Sequence, residues 1–173
     1  MAVATVDESA PMLTLARTTE KMLIRPLTLD EISLCLPFGY LFHAEKSIPG
    51  AFNPDVFTKN WHQFIGSGMG VIFGLWKDEV LIGGIGGFVF PDITSGELVA
   101  NEFFWFVQKA DRRGSWPLRL RSAYKAWAKA MGAIRYRMVH ILEPNETPST
   151  VRLAHVYRRD GMRAIEVVYD GLL

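Results

Sequence analysis

The sequence predicts one mixed α/β domain in which helices flank a mostly antiparallel sheet, and three observations point there. The 173 residues are 49% hydrophobic and 12% aromatic, enough to fill the core of a single compact unit. Runs rich in Val, Ile, Leu and Phe alternate with stretches whose apolar residues recur at helical spacing. The resulting order, β-α-α-β-β-β-α-β-α-β, holds a hairpin and a crossover helix within one sheet.

"MLIRPLT" (22–28) is a short extended run in which Pro26 suits an edge or first strand. "TLDEISLCL" follows, with Thr28 or Asp30 as N-cap and helical spacing at Leu29, Ile32, Leu34 and Leu36. Pro37, Gly39 and Pro49 interrupt "PFGYLFHAEKSIPG", which reads as a broken helix and a loop. "NPDVFTKNWHQFIGSG" offers Asn53 as cap, Pro54 in the first turn, and Val56, Phe57, Trp61, Phe64 and Ile65 as an apolar face. Next comes the predicted hairpin, "GMGVIFGLWKDEVLIGGIGGFVFPD", turning at "KDE". Its Gly83, Gly84, Gly86 and Gly87 do not open a helix, so they mark a bulge or a close approach rather than a nucleotide loop.

"ELVANEFFWFV" (97–107) is the following strand, turned antiparallel by "ITSG". A helix then buries Leu120, Tyr124, Trp127 and Met131, carries Pro117 in its first turn, and stops at Gly132. "IRYRMVHIL" (134–142) is a further strand and "EPNETP" a loop. "STVRLAHVYRRD" is a short helix capped by Ser149 or Thr150, and "MRAIEVVYD" a final strand.

Composition narrows the function. A net charge of +1 predicts neither nucleic acid nor membrane as a partner. One cysteine, Cys35, leaves no intramolecular disulfide and no zinc-type spacing, which suits a reducing cytoplasmic setting and no metal. Residues 1–21 lack a basic start and an apolar block, so they read as a flexible tail ahead of a single domain at 22–173. No apolar run reaches the roughly 20 residues of a membrane helix.

The most informative stretch is 107–133, "VQKADRRGSWPLRLRSAYKAWAKAMGA". Nine basic residues fall between Lys109 and Arg137, against the single acid Asp111. Arg121, Lys125 and Lys129 are expected in solvent, because the apolar face must meet the sheet. Arg112 and Arg113 differ: beside Gly114 and Ser115, at a strand-to-helix turn, backbone N–H groups and guanidinium forks can converge on a phosphate. Nucleic-acid binding by this helix is the weaker reading, since no helix-turn-helix partner accompanies it.

Over residues 22–170 the chain resembles the GNAT superfamily of acyl-CoA-dependent N-acyltransferases. Val107, Arg112 and the closing "AKAMGA" match the family's strand, pyrophosphate turn and helix, while Arg113, Ser115 or Trp116 stand where glycines are usual. "LAHVYRRDGMRAIEV" resembles the family's Tyr-to-Gly segment, with Tyr157 four residues before Gly161. The resemblance implies acetyl-CoA as acyl donor, its pyrophosphate held by Arg112, Arg113, Gly114, Ser115 and Trp116. Its pantetheine would lie along Trp105, Phe106 and Val107. It implies a carboxylate base at Glu102, with His140 as rival, and Tyr157 as the acid or sulfur contact.

Alternation from Val107 places Glu102 with Phe104 and Phe106 on one face, where burial would raise its pKa. The acceptor would be a small-molecule or peptide amine, approaching over residues 29–66 and the turns near Asp92, and a homodimer fits the exposed apolar residues. Asp30, Glu31, Glu45 and Asp55 on that side read as ordinary surface acids. The altered glycines open a second reading, a weakly active or inactive GNAT-like binding protein, and the short ending resembles compact bacteriophage members.

Overall fold

The computed structural model describes residues 20–46, 48, 50–141 and 152–165. Among the described residues, five strands form one sheet in chain order: β1 (Met22–Pro26), β2 (Gly70–Lys77), β3 (Val80–Pro91), β4 (Leu98–Val107) and β5 (Arg135–Arg137). The first three junctions are antiparallel and β4–β5 is parallel. Between β2 and β3 the chain turns on Asp78 and Glu79, both at positive φ (47° and 68°), as a two-residue hairpin matched to strand twist requires.

Adjacent residues of a strand point to opposite faces, and Val71 and Ile72 divide the core accordingly. Val71 joins Leu75, Ile85 and Ala100 in packing against Leu120, Tyr124 and Ala128 of α3 (Trp116–Ala130). Ile72 joins Trp76, Leu81 and Phe106 in packing against Ile32 and Cys35 of a 3-10 segment (Leu29–Cys35) and against Phe38 and Trp61. Those two aromatics belong to α1 (Leu36–Lys46) and α2 (Pro54–Gly66). Cys35 is a core residue whose thiol burial pushes up to about 12, which makes it unreactive.

The helix ends follow their chemistry. Asn53 Oδ1 accepts from the N–H groups of Asp55 and Val56, each at 3.1 Å, capping α2. Gly132, at φ 82°, closes α3 as Ala133 N–H reaches back to Ala128 O. Gly161 does the same for α4 (Arg152–Arg159), with Met162 N–H on Tyr157 O.

Several expectations change. Pro37 and Gly39 do not break α1, because Pro37 falls in the first turn, where its missing N–H is not needed; a Cβ on Gly39 would strike the Phe52 ring. The strand expected over 134–142 is regular only at Arg135–Arg137. Arg121 is buried, pairing with Asp160 rather than facing solvent.

A further change concerns β4 itself. Gly86 pairs with Phe104 but Gly87 pairs with Glu102, so Phe103 is an extra residue in a bulge. The bulge reverses the alternation: Phe104 packs toward α2, whereas Trp105 and Val107 share the α3 side with Ala100. Glu102 therefore lies with that second set and not with Phe104 and Phe106. The cap expected at Ser149 or Thr150, the loop expected over 143–148 and the tail through residue 19 lie outside the described residues. Of the expected final strand, residues 162–165 carry no regular structure and the rest lies outside the described set.

Candidate active site

The parallel pairing of β4 with β5 stops at Asn101–Arg137, and beyond it the two segments separate around a cavity of about 230 Å³. Residues 102, 103 and 105–107 line one side, Val139, His140 and Ile141 the other, and Leu153 and Tyr157 of α4 contribute a third wall.

Glu102 sits where the strands part. It is 2% exposed, and its Oε2 accepts from Val139 N–H at 2.8 Å, a bond across the opening just beyond the last strand pair. Burial pushes its carboxyl from the ordinary 4.5 up to about 8, with the Val139 bond pulling the other way. Near neutral pH this group holds its proton, and slightly above it can take one from a neighbour.

Tyr157 faces the same cavity. Burial first, and the Glu102 charge second, raise its pKa, so it remains a phenol able to donate. Its hydroxyl is buried with no hydrogen-bond partner among the described residues, and so are those of Tyr124, which also feels the Glu102 charge, and Tyr136. A buried hydroxyl without a partner is costly and is found where a ligand or water completes the site. Arg121, reaching from α3 to Asp160 at the end of α4, fixes the helix that carries Tyr157.

The basic turn is built differently from its expected form. Arg112 donates through Nε to Val107 O at 2.7 Å and through Nη2 to Glu45 Oε2 at 2.6 Å, and lies 5.1 Å over the Phe106 ring. It ties the end of β4 to α1 at the cavity rim. Arg113, Gly114 and Ser115 are exposed, Gly114 at φ +85°, and Ser115 occupies the N-cap of α3 with no side-chain cap bond. Trp116 opens the helix under the Arg119 guanidinium, 4.6 Å away.

The structure thus brings Glu102, Trp105, Phe106, Val107, Arg112, His140 and Tyr157 to one cavity, while Arg113 to Trp116 form the turn beyond it. Glu45, expected as an ordinary surface acid, lines the cavity through its ion pair with Arg112. Neither that role nor the Arg121–Asp160 pair carries a local sequence signal, since the partners are 67 and 39 residues apart. Asp92 organises its own turn: bonds from Thr94 hold its carboxyl down near 2, and Arg135 pairs with it at 2.9 Å. Among the described residues no cluster of His, Cys, Asp and Glu could hold a metal ion.

No protein-family model and no curated protein matches the sequence. Solved structures do. A predicted acetyltransferase with acetyl-CoA from Clostridium acetobutylicum superposes with a TM-score of 0.70 at 12% identity, over 88% of this chain and 96% of that one. The glucosamine-6-phosphate N-acetyltransferase of Arabidopsis thaliana gives 0.66 at 11% identity, over 88% and 99%. The chain has the GNAT fold. An aminoglycoside N-acetyltransferase in complex with CoA matches it over 92% of this chain and 99% of its own, with a TM-score of 0.67 and 16% identity. In GNAT terms, the β4–β5 opening lies between the fourth and fifth strands of the sheet, with the basic turn leading into the crossover helix between them.

Proposed function

We propose that the protein is an N-acetyltransferase that moves an acetyl group from acetyl-CoA to a primary amine. The observation that carries this reading is a buried carboxyl of raised pKa and a buried phenol with no hydrogen-bond partner among the described residues, in one cavity at the point where β4 loses its neighbour. The neighbours named for aminoglycosides and glucosamine-6-phosphate support an amine as acceptor.

The donor fits the residues present. The edge from Trp105 to Val107 offers an extended backbone for pantetheine, in the manner of an added strand. The turn from Arg113 to Trp116 leads into a 15-residue helix whose N-terminal N–H groups and positive dipole end suit a pyrophosphate. Arg112 adds positive charge at the rim while it holds β4 to α1.

In the transfer, the amine nitrogen forms a bond to the thioester carbonyl carbon and the carbon–sulfur bond breaks. Ionised Glu102 takes the proton released by the nitrogen, and Tyr157 gives its proton to the departing thiolate, leaving amide and free CoA. Val139 N–H keeps the Glu102 carboxyl turned into the opening. His140, on the same wall, is the rival base.

Calorimetric titration with acetyl-CoA tests the reading, with Arg112→Ala/Arg113→Ala as control. Micromolar binding weakened in the double variant supports it. No binding up to millimolar concentration overturns it in favour of a GNAT-fold protein without turnover, a second reading favoured by Ser115 and Trp116 at glycine positions and by the engagement of Arg112 with Glu45.

A further inference from the structure

A second, larger cavity of about 370 Å³ lies between α1, α2 and the opposite side of β4. It adjoins the Glu102 cavity, sharing Phe42, Phe103, Phe106 and Ile141 with it. Nine of its fifteen described lining residues are Phe or Trp, and none of the fifteen is Asp, Glu, Lys or Arg. The rings meet as edges and faces: Phe57 and Trp61 at 54°, Trp61 and Phe104 at 84°, Phe42 and Phe106 at 86°.

We propose that this aromatic cavity selects the acceptor, and that the acceptor is a monoamine with an apolar, aromatic body. The inference rests on the acetyl-transfer reading above. With its amine at the shared rim, such a molecule places the nitrogen toward Glu102 and its ring among side chains that prefer offset and edge-to-face partners. A single ammonium is tolerated on approach, because aromatic faces attract a cation and Glu102, when ionised, takes the proton. A polycation is disfavoured, since every further ammonium would be desolvated against rings with no carboxylate beside it. A long acyl chain is the poorer occupant: the lining offers two aliphatic side chains, Ile48 and Ile141, against nine rings.

The bulge at Phe103 makes this division. It turns Phe104 toward the aromatic cavity and leaves Glu102 on the other side, so that recognition and proton transfer occupy opposite sides of one strand.

The test measures binding and turnover separately on the full chain. Calorimetry with 2-phenylethylamine and with spermidine, each with and without acetyl-CoA, reads the cavity, and release of free CoA thiol reads transfer. The expected result is a kcat/KM for 2-phenylethylamine at least about tenfold above that for spermidine, the discrimination expected from roughly 1.4 kcal/mol. Phe57→Leu should raise KM for the aromatic amine about fivefold and leave acetyl-CoA affinity unchanged. Asn60→Asp, at an exposed lining position, introduces a carboxylate without disturbing packing and should shift preference toward the polyamine.

Acetyl-CoA binding with spermidine preferred, or with longer acyl-CoA preferred and no discrimination between amines, overturns this inference and leaves acetyl transfer standing. Aromatic amine binding without acetyl-CoA binding overturns acetyl transfer and with it the acceptor role assigned to this cavity. Absence of both rejects both.

Discussion

The cavity at Glu102 and the aromatic cavity beside it share four lining residues, yet they are assembled from opposite materials. One gathers a buried carboxyl, a phenol with no partner among the described residues, an arginine and a second carboxylate, and holds them by bonds that cross long stretches of sequence. The other is packed from rings carried on two helices and one strand. The first costs stability, because Glu102 and the buried hydroxyls are desolvated without full compensation. The second contributes it, through burial of large apolar surfaces. The difference teaches where tolerance to mutation should lie: changes at the polar cavity remove chemistry and spare the fold, and changes at the aromatic one cost stability and acceptor affinity while leaving the proton-transfer groups in place.

Glu102→Gln should break the comparison most severely in rate, lowering kcat about 10³-fold if the carboxyl is the base. The same variant should be more stable than the parent in urea at pH 8. The sign follows from the raised pKa: between about 4.5 and 8 the folded chain keeps a proton that the unfolded chain has lost, so the parent's stability falls as pH rises through that window. Gln does not ionise and removes the slope. Trp61→Ala, at a residue 4% exposed in the aromatic core, should cost ~3–4 kcal/mol in denaturant unfolding.

Tyr157→Phe should lower kcat about 10²-fold with little change in the melting temperature, since the hydroxyl makes no hydrogen bond among the described residues. Glu45→Gln, at the rim, should have the smallest effect, less than about 1 kcal/mol in stability, because its ion pair with Arg112 is partly exposed. A measurable rise in acetyl-CoA affinity on releasing Arg112 would sharpen the comparison by showing the rim arginine to be held in reserve.

The fold was legible wherever a local rule decided it. The "KDE" turn, the Asn53 cap, the Gly132 stop and the apolar face of α3 need only neighbours within a few residues. Pro37 does not break the helix, because a proline is tolerated in the first turn, and the 3-10 segment preceding α1 places it there. The bulge escaped for a different reason. Gly86 and Gly87 signalled an irregularity, but which strand carries the extra residue depends on their partner, and simple alternation across Phe103 put Glu102 on the wrong face. Arg121 sits one position from the apolar stripe and is buried by Asp160, a partner no helical period reveals. At the site, Glu102 and Tyr157 stand out by family resemblance; that they share a cavity depends on the separation of β4 from β5, a property of the sheet as a whole.

The most direct test of Glu102 as the proton acceptor is the pH dependence of kcat/KM for acetyl transfer, measured on the parent and on Glu102→Gln. The account predicts a parent rate that climbs as pH rises through about 8, with that limb missing in the variant. An unchanged limb in the variant would contradict it and move the base to another group on the cavity wall.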